Sequence, residues 1–222
     1  MEDKERQMQR LRIRFSRGEE IKFISHLDIM RLWDRALRRA RIPLAYSEGF
    51  NPHPKMSLAV PLAVGVTSEA ELMDIFLARP ASPHWFTAAV SQQLPPGIKI
   101  LGVYQAALNM PSLQSQVRYA EYRVQLETTG TAARDVESAV AALLSAEHLP
   151  WHHQRDTGQR SYDLRALVDD LRLVSSNSSG CTLEMRLRCD SGGSGRPEQV
   201  VLALGLTRHP QSIHRTKLTL DV

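Results

Sequence analysis

The sequence predicts an α+β protein made of two tandem ferredoxin-like halves. In residues 1–107, apolar periodicities of two and of about 3.6 follow one another in the order β-α-β-β-α-β, and the same order returns in residues 119–222. Between them, residues 108–118 carry Pro, Ser, Gln and Asn without a regular pattern and are predicted to be a linker. The halves share no visible sequence repeat, so the duplication rests on pattern alone.

The first half opens with a strand at residues 10–16, in which basic and apolar side chains alternate. A short strand is predicted at residues 21–24. Ser25 is followed three residues later by Asp28, the pattern of an N-cap, and a helix is predicted over residues 26–41. Its buried stripe is expected to consist of Leu27, Met30, Ala36 or Leu37, and Ala40.

The remaining elements are predicted from the same periodicities and from Pro and Gly residues, which mark turns. In the first half we predict strands at 44–47 and 56–61, a strand opening at Thr67, a helix starting at Pro83 and a strand at 98–106. In the second half we predict a strand at 120–128, a helix at 131–147, extended segments at 151–155 and 161–168, a strand at 182–189, a helix at 196–205 and a strand at 212–220.

Bulk composition indicates an ordinary globular protein of 222 residues, with 42% hydrophobic and 23% charged residues. No apolar run reaches the 18 residues of a membrane span, and the polar N-terminus is not a secretory signal, so no membrane partner is expected. Cys181 and Cys189 lack the close spacing of metal sites. They favour a reducing, cytoplasmic location, and neither a metal nor a cofactor is expected.

A basic face is predicted on the helix at residues 26–41. Arg31, Arg35 and Arg39 fall at i, i+4 and i+8, with Arg38 and Arg41 alongside. This spacing suits phosphate binding, but it also fits a solvated face paired with Asp34 and other acids. Trp33 is expected in the core rather than as a base-stacking platform.

The loop after this helix combines several kinds of side chain in ten residues. It carries Tyr46, Phe50, Asn51, His53 and Lys55. Two prolines restrict its backbone, so a stiff loop is expected. Aromatic, amide, imidazole and ammonium groups together suit recognition of a base, a phosphate or a peptide, and the alternative is a role in stabilising the fold.

Catalysis is less expected than binding. If the protein is an enzyme, His26 or His53 would be the acid or base and Lys55 would steady charge in metal-independent RNA cleavage. His26 and Asp28 also fit a plain role at the helix start. The sequence contains no P-loop, no G-x-G-x-x-G and no G-x-S-x-G, which argues against nucleotide hydrolysis, dinucleotide chemistry and serine hydrolysis.

The first 75 residues resemble the radical-SAM-linked protein family, a domain of unknown function. The resemblance is carried by FISHLD from Phe23, Arg31, RALRRA from Arg35, YSEGFNPHPK from Tyr46, Gly65 and, more loosely, RPE from Arg196. It implies an accessory role beside cobalamin-binding radical SAM proteins or RNA-processing genes. The chain has no C-x3-C-x2-C set, so it is not expected to be the radical enzyme itself.

The predicted architecture is also similar to that of CRISPR repeat-processing endoribonucleases, which cleave RNA without metal and commonly use a His. Their Gly-rich C-terminal loop is not matched here, because SGGSG at 191–195 precedes the last predicted helix. Three hypotheses result. The first is a module that binds RNA or an RNA-processing protein, the second is a metal-independent endoribonuclease, and the third is a protein partner of a radical SAM enzyme without nucleic acid.

Overall fold

A computed structural model describes residues 8–127, 133–155, 158–177, 179–206 and 210–221. Contacts divide the chain into two compact units, residues 1–117 and 118–222. Each unit combines an antiparallel sheet with helices, which confirms the α+β class. The finer assignment of two ferredoxin-like halves stays a prediction.

From residue 8 onward, the first unit contains four strands, two α-helices of nine residues or more and one short α-helix. They are β1 (Gln9–Arg17), α1 (His26–Arg39), β2 (Met56–Leu58), β3 (Thr67–Leu77), α2 (Pro83–Ser91), β4 (Ile98–Ala106) and α3 (Leu113–Gln116). The strands lie in the order β4-β1-β3-β2 with antiparallel neighbours throughout. In the centre of the sheet, Ile13 on β1 lies opposite Met73 and Val103.

The core of this unit follows from the alternation in β1. Leu11, Ile13 and Phe15 are fully buried, as predicted. The Phe15 ring meets the ring of Trp33 edge to face, with centroids 5.0 Å apart and an interplanar angle of 68°. Trp33 is fully buried, which confirms it as a core residue.

The predicted buried stripe of α1 is right at Ala36 and Leu37, partly right at Met30 and Ala40, and wrong at Leu27. The buried residues are Ile29, Trp33, Ala36 and Leu37, whereas Leu27 is 65% exposed. Met30 and Ala40 are only half-buried. Trp33 is the largest apolar side chain of the helix, and its packing against Phe15 turns the helix so that Leu27 faces solvent.

The helix also ends earlier than predicted, at Arg39 with Ala40 as C-cap. The Ile42 amide donates to the Leu37 carbonyl and the Arg41 amide to the Arg38 carbonyl, both at 3.0 Å. This pair of bonds is a Schellman motif, which closes the helix by placing one residue in the left-handed region. That residue is Arg41, with φ of 54°.

Two short predicted strands are absent as strands. Residues 21–24 do not extend, because Glu19–Ile21 is a turn of 3-10 helix. Residues 44–47 make only isolated bridges, Leu44 with Leu77 and Tyr46 with Pro54. A ladder cannot continue past a proline, which has no amide hydrogen to donate.

The other face of β1 is more buried than the alternation suggested. Arg10, Arg12 and Arg14 point away from Leu11 as predicted, but Arg10 is buried and Arg12 is half-buried. Both guanidiniums donate through Nε to the buried carboxylate of Asp74 on β3, each at 2.9 Å. Asp74 was not anticipated from the sequence.

The described residues of the second unit form seven strands and two α-helices. They are β5 (Val117–Glu127), α4 (Ala133–Ser145), β6 (Pro150–Arg155), β7 (Gly158–Asp163), β8 (Val168–Ser176), β9 (Gly180–Asp190), β10 (Gly193–Ser194), α5 (Pro197–Ala203) and β11 (Ser212–Leu220). β9 pairs with β5 and with β8, β11 lies beside β5, and β6 and β7 form a separate hairpin.

β9 shows the alternation predicted for it. Leu183, Met185 and Leu187 are buried, and Cys181 and Cys189 are buried free thiols on the same face. Burial raises the pKa of the Cys181 thiol. The helix predicted at 196–205 is present as α5, with Gly205 just past its end at φ of 75°. No helix in the described ranges is long and apolar enough to cross a membrane.

Candidate nucleic-acid interface

The start of α1 is a capping box, as the Ser25 and Asp28 spacing predicted. The Ser25 hydroxyl accepts a hydrogen bond from the Asp28 amide at 3.2 Å and donates to the Asp28 carboxylate at 2.7 Å. The hydrogen bond from Ser25 and the nearby charge of Arg31 lower the pKa of Asp28. Asp28 is therefore accounted for by helix capping.

The arginine face of α1, formed by Arg31, Arg35, Arg38 and Arg39, is exposed along its length. Arg31 lies 3.3 Å from Asp28, and Arg38 donates through Nε to Asp34 at 2.7 Å. The hydrogen bond to Asp34 and the charge of that carboxylate raise the pKa of Arg38. Within the described part of the chain, Arg35 and Arg39 make no ion pair or side-chain hydrogen bond. Two of the four arginines are thus paired with acidic side chains, and Arg35 and Arg39 are available to bind anions.

The 46–55 loop is closed at its base by backbone hydrogen bonds. The Lys55 amide donates to the Ala45 carbonyl and the Ser47 amide to the His53 carbonyl, both at 2.8 Å. The His53 amide also donates to the Ser47 hydroxyl at 3.0 Å. Gly49 lies near the tip with φ of 119°, a conformation that favours glycine. The structure therefore gives the loop a defined base.

Side chains of the loop project into solvent. Phe50 is fully exposed at 108%, the highest value among the large apolar residues of the described ranges. Tyr46, Asn51, His53 and Lys55 are also exposed. An aromatic ring held in water by a short loop, with no place in the core, is available to a ligand.

A contact between Arg38 and Tyr46 joins the helix to the loop. The Arg38 guanidinium lies 5.5 Å from the centroid of the Tyr46 ring, a cation–π distance. Arg38 is in the last turn of α1, and Tyr46 is the first residue of the 46–55 loop. This contact brings two of the predicted binding residues together.

His26 lies at the other end of the helix. It is the first residue of α1, twelve residues before Arg38, which corresponds to about 18 Å along the helix axis. Among the described residues, no hydrogen bond or ion pair joins His26 to His53 or Lys55. His26 is therefore not linked to the other two candidate catalytic residues by a hydrogen bond or an ion pair, and the role of all three stays a prediction.

A groove that the sequence did not point to lies beyond the end of α1. It has a volume of about 360 Å³, and Arg41, Arg79 and Trp85 line it. Arg79 and Trp85 are far from Arg41 in sequence and stand in no motif, so no local signal marked them. In the described residues, no group of three or more His, Cys, Asp or Glu side chains is arranged to hold a metal ion.

Comparison with known proteins identifies the family. The model of a family described as uncharacterized protein conserved in bacteria (DUF2344) matches residues 10–197. The chain belongs to DUF2344. The match extends over most of the first unit of this DUF2344 chain and into the second, and it includes α1, the 46–55 loop and Arg196. Among curated proteins, none matches.

Solved structures similar to the DUF2344 chain are distant in sequence. A crystal structure of a Cbf5-Nop10-Gar1 complex gives a TM-score of 0.49 at 11% identity, covering 94% of this chain and 48% of that one. An archaeal box H/ACA sRNP Nop10-Cbf5 complex gives 0.49 at 10% identity, with coverages of 94% and 48%. An unknown protein from Galdieria sulphuraria gives 0.28 at 13%, with coverages of 97% and 99%. The DUF2344 chain thus spans about half the length of the first two, and these scores carry no functional argument.

Proposed function

We propose that this DUF2344 chain is an RNA-binding module whose interface is the arginine face of α1 together with the 46–55 loop. The observation that carries the proposal is the contact of Arg38 with Tyr46. It makes a row of cations continuous with a loop of exposed aromatic and amide groups. Phosphates would bind the row, and bases would stack on Tyr46 and Phe50 with Asn51 beside them.

The charge distribution supports this assignment. Residues 1–117 contain 15 Lys and Arg against 11 Asp and Glu, whereas residues 118–222 contain 13 of each. The whole net charge of +4 therefore belongs to the unit that carries α1 and the loop. A basic surface on one unit is the electrostatic pattern of nucleic-acid binding.

Arg35 and Arg39 allow the sharpest test, since neither is engaged in an ion pair within the described residues. Arg35→Ala combined with Arg39→Ala should weaken binding of a fluorescein-labelled single-stranded 12-nucleotide RNA at least tenfold at low salt. The slope of log affinity against log salt should fall by about 1.4, since each phosphate contact on a single strand contributes about 0.7.

The matched control removes two exposed positive charges elsewhere in the same unit, through Arg14→Ala and Lys99→Ala. In this control, the slope of log affinity against log salt should equal that of the wild type. Equal losses in the two double variants would mean that only net charge matters, and no binding by the wild type at low salt would end the proposal.

A variant at Phe50 can distinguish an effect on RNA binding from an effect on folding. Because its ring is fully exposed, Phe50→Ala should leave the urea midpoint of unfolding unchanged. Its affinity for the same RNA should fall roughly fivefold or more, as expected for loss of one base-stacking contact. Unchanged affinity would exclude Phe50 from the interface.

The alternative is that the chain is a metal-independent endoribonuclease, which would also bind RNA. His53 and Lys55 are exposed and two residues apart on one arm of the loop, so both can approach one phosphate. Cleavage of RNA in EDTA that is lost in His53→Ala or His26→Ala would support it. Intact RNA after prolonged incubation with pure protein would exclude it.

The resemblance to radical-SAM-linked proteins supports a third proposal, a protein partner of a radical SAM or RNA-processing enzyme. Co-purification with such an enzyme that survives nuclease treatment would favour it over RNA binding. Loss of the complex on nuclease treatment would favour an RNA bridge.

We also propose that both units are ferredoxin-like. The order β4-β1-β3-β2 in the first unit and the pairing of β9 with β5 and β8 in the second support this assignment. A different strand order in either unit, mapped by cross-strand contacts in NMR spectra, would contradict it.

A further inference from the structure

A basic groove, lined by Arg41, Arg79 and Trp85, lies where the end of α1 meets the start of α2. Trp85 is 45% exposed, whereas Trp33, the other tryptophan of this unit, is fully buried. The groove thus has a half-exposed indole and two arginine residues in its lining.

The walls of the groove are fixed by hydrogen bonds between distant segments. The Ala78 amide donates to the Pro43 carbonyl at 2.7 Å. The Ala81 amide donates to the side-chain oxygen of Gln9, a buried residue, at 2.9 Å. The Ser82 hydroxyl accepts from the Trp85 amide at 3.1 Å and sets the first turn of α2. The backbone that carries both arginines and the indole is thus held in place.

Charge in the groove is of one sign. No acidic residue lines it, and the sequence contains no Asp or Glu from residue 75 to residue 120. Within the described part of the chain, Arg41 and Arg79 are each without an ion pair. The guanidiniums are therefore free to bind an anionic ligand.

Arg41 has an unusual backbone. Its φ of 54° lies in the left-handed region, where glycine is favoured at the residue after a helix and other L-residues cost roughly 1 kcal/mol. Glycine would satisfy the Schellman motif better, so the arginine at this position is explained by its side chain rather than by helix termination.

We propose that the groove binds one nucleotide of a single-stranded RNA, with the base stacked on Trp85 and the adjoining phosphate held by Arg41 and Arg79. The proposal rests on the RNA-binding function proposed above and extends its path. Arg39 ends α1, and Arg41 lies two residues on, at most about 7 Å of chain away. A strand bound along the arginine face reaches the groove without leaving basic surface.

Two probes of equal length separate stacking from charge: a fluorescein-labelled 12-nucleotide oligouridylate and the same ribose–phosphate chain without bases. Trp85→Ala should weaken oligouridylate binding roughly fivefold to a hundredfold and leave binding of the abasic chain unchanged. Arg41→Gly should weaken binding of both probes. Its urea midpoint should not fall, because glycine suits the left-handed conformation.

Tyr104→Ala is the matched aromatic control, since Tyr104 is exposed on β4 and does not line the groove. It should bind both probes as the wild type does. The assignment is overturned if Trp85→Ala binds oligouridylate normally, if it loses the abasic chain equally, or if Tyr104→Ala causes the same loss. If one of these results is obtained while the Arg35→Ala, Arg39→Ala double variant still loses affinity for RNA, only the proposal for the groove is overturned. If the wild type binds no RNA, both proposals are overturned.

Discussion

The guanidinium of Arg38 stands between the Asp34 carboxylate, 2.7 Å from its Nε, and the ring of Tyr46, 5.5 Å from its centre. One side chain thus joins a helix to the loop that follows it. The ion pair with Asp34 holds the guanidinium in position, and the ring then packs on a cation that is already oriented.

The first prediction concerns the order of the 46–55 loop. Tyr46→Ala removes the ring under Arg38, so amides of residues 47–53 should exchange hydrogen faster than in the wild type, measured by mass spectrometry. Tyr46→Phe keeps the ring and should exchange at the wild-type rate. Equal rates in all three proteins would show that backbone hydrogen bonds alone order the loop.

The second prediction concerns the N-cap of α1. Ser25→Ala removes the acceptor of the Asp28 amide and should lower the free energy of unfolding by about 1 kcal/mol, measured by urea denaturation. Ser25→Thr preserves the hydroxyl and should lose much less. Wild-type stability in the alanine variant would mean that water replaces the cap without cost.

The third prediction concerns the buried carboxylate shared by Arg10 and Arg12. Asp74→Asn leaves two guanidiniums without their counter-charge, and the loss of a buried partner costs about 3–5 kcal/mol. The urea midpoint should therefore fall sharply. Glu69→Gln, which removes an exposed carboxylate on the same strand, should change it little. A small loss in Asp74→Asn would show that water or backbone carbonyls compensate the arginines.

The fourth prediction is a pH dependence in the second unit. Hydrogen bonds from Arg172 and then Arg123 lower the pKa of Glu184 below its ordinary value of 4.5. Because the folded pKa is depressed, the stabilisation is present above about pH 4.5 and is lost as pH falls through the folded pKa. Glu184→Gln should be less stable than the wild type at pH 7, and the gap should close under more acidic conditions. Glu127→Gln, an exposed carboxylate on β5, should show no such change.

Much of the local structure could be predicted because local rules decide it. The alternation in β1 and β9 gave their buried faces, and the Ser25–Asp28 spacing gave the start of α1. Which residues are buried in the first turns of α1 could not be predicted, since apolar residues at 27, 29, 30 and 33 satisfy more than one helical stripe. The packing of Trp33 on Phe15 selects among them, and that contact depends on tertiary structure.

In the candidate site, too, the features that are local in sequence could be predicted and those that depend on tertiary structure could not. The arginine face and the 46–55 loop are continuous in sequence, so pattern alone could mark them. The partnership of Arg10 with Asp74 spans 64 residues. Arg41 and Arg79 line one groove although 38 positions separate them, and the Ala78 amide donates to the Pro43 carbonyl between their segments. No periodicity or motif encodes such pairings.

The guanidinium of Arg10 does more than meet Asp74, because it also donates to the carbonyls of Met110 and Pro111 at 2.8 and 2.9 Å. The segment after β4 is therefore fastened to the first strand of its own unit. A fragment of the chain made for binding assays should accordingly be cut after Val117. Cutting at residue 107 would remove two hydrogen-bond acceptors from the buried guanidinium of Arg10 and destabilise the fragment that we propose binds RNA.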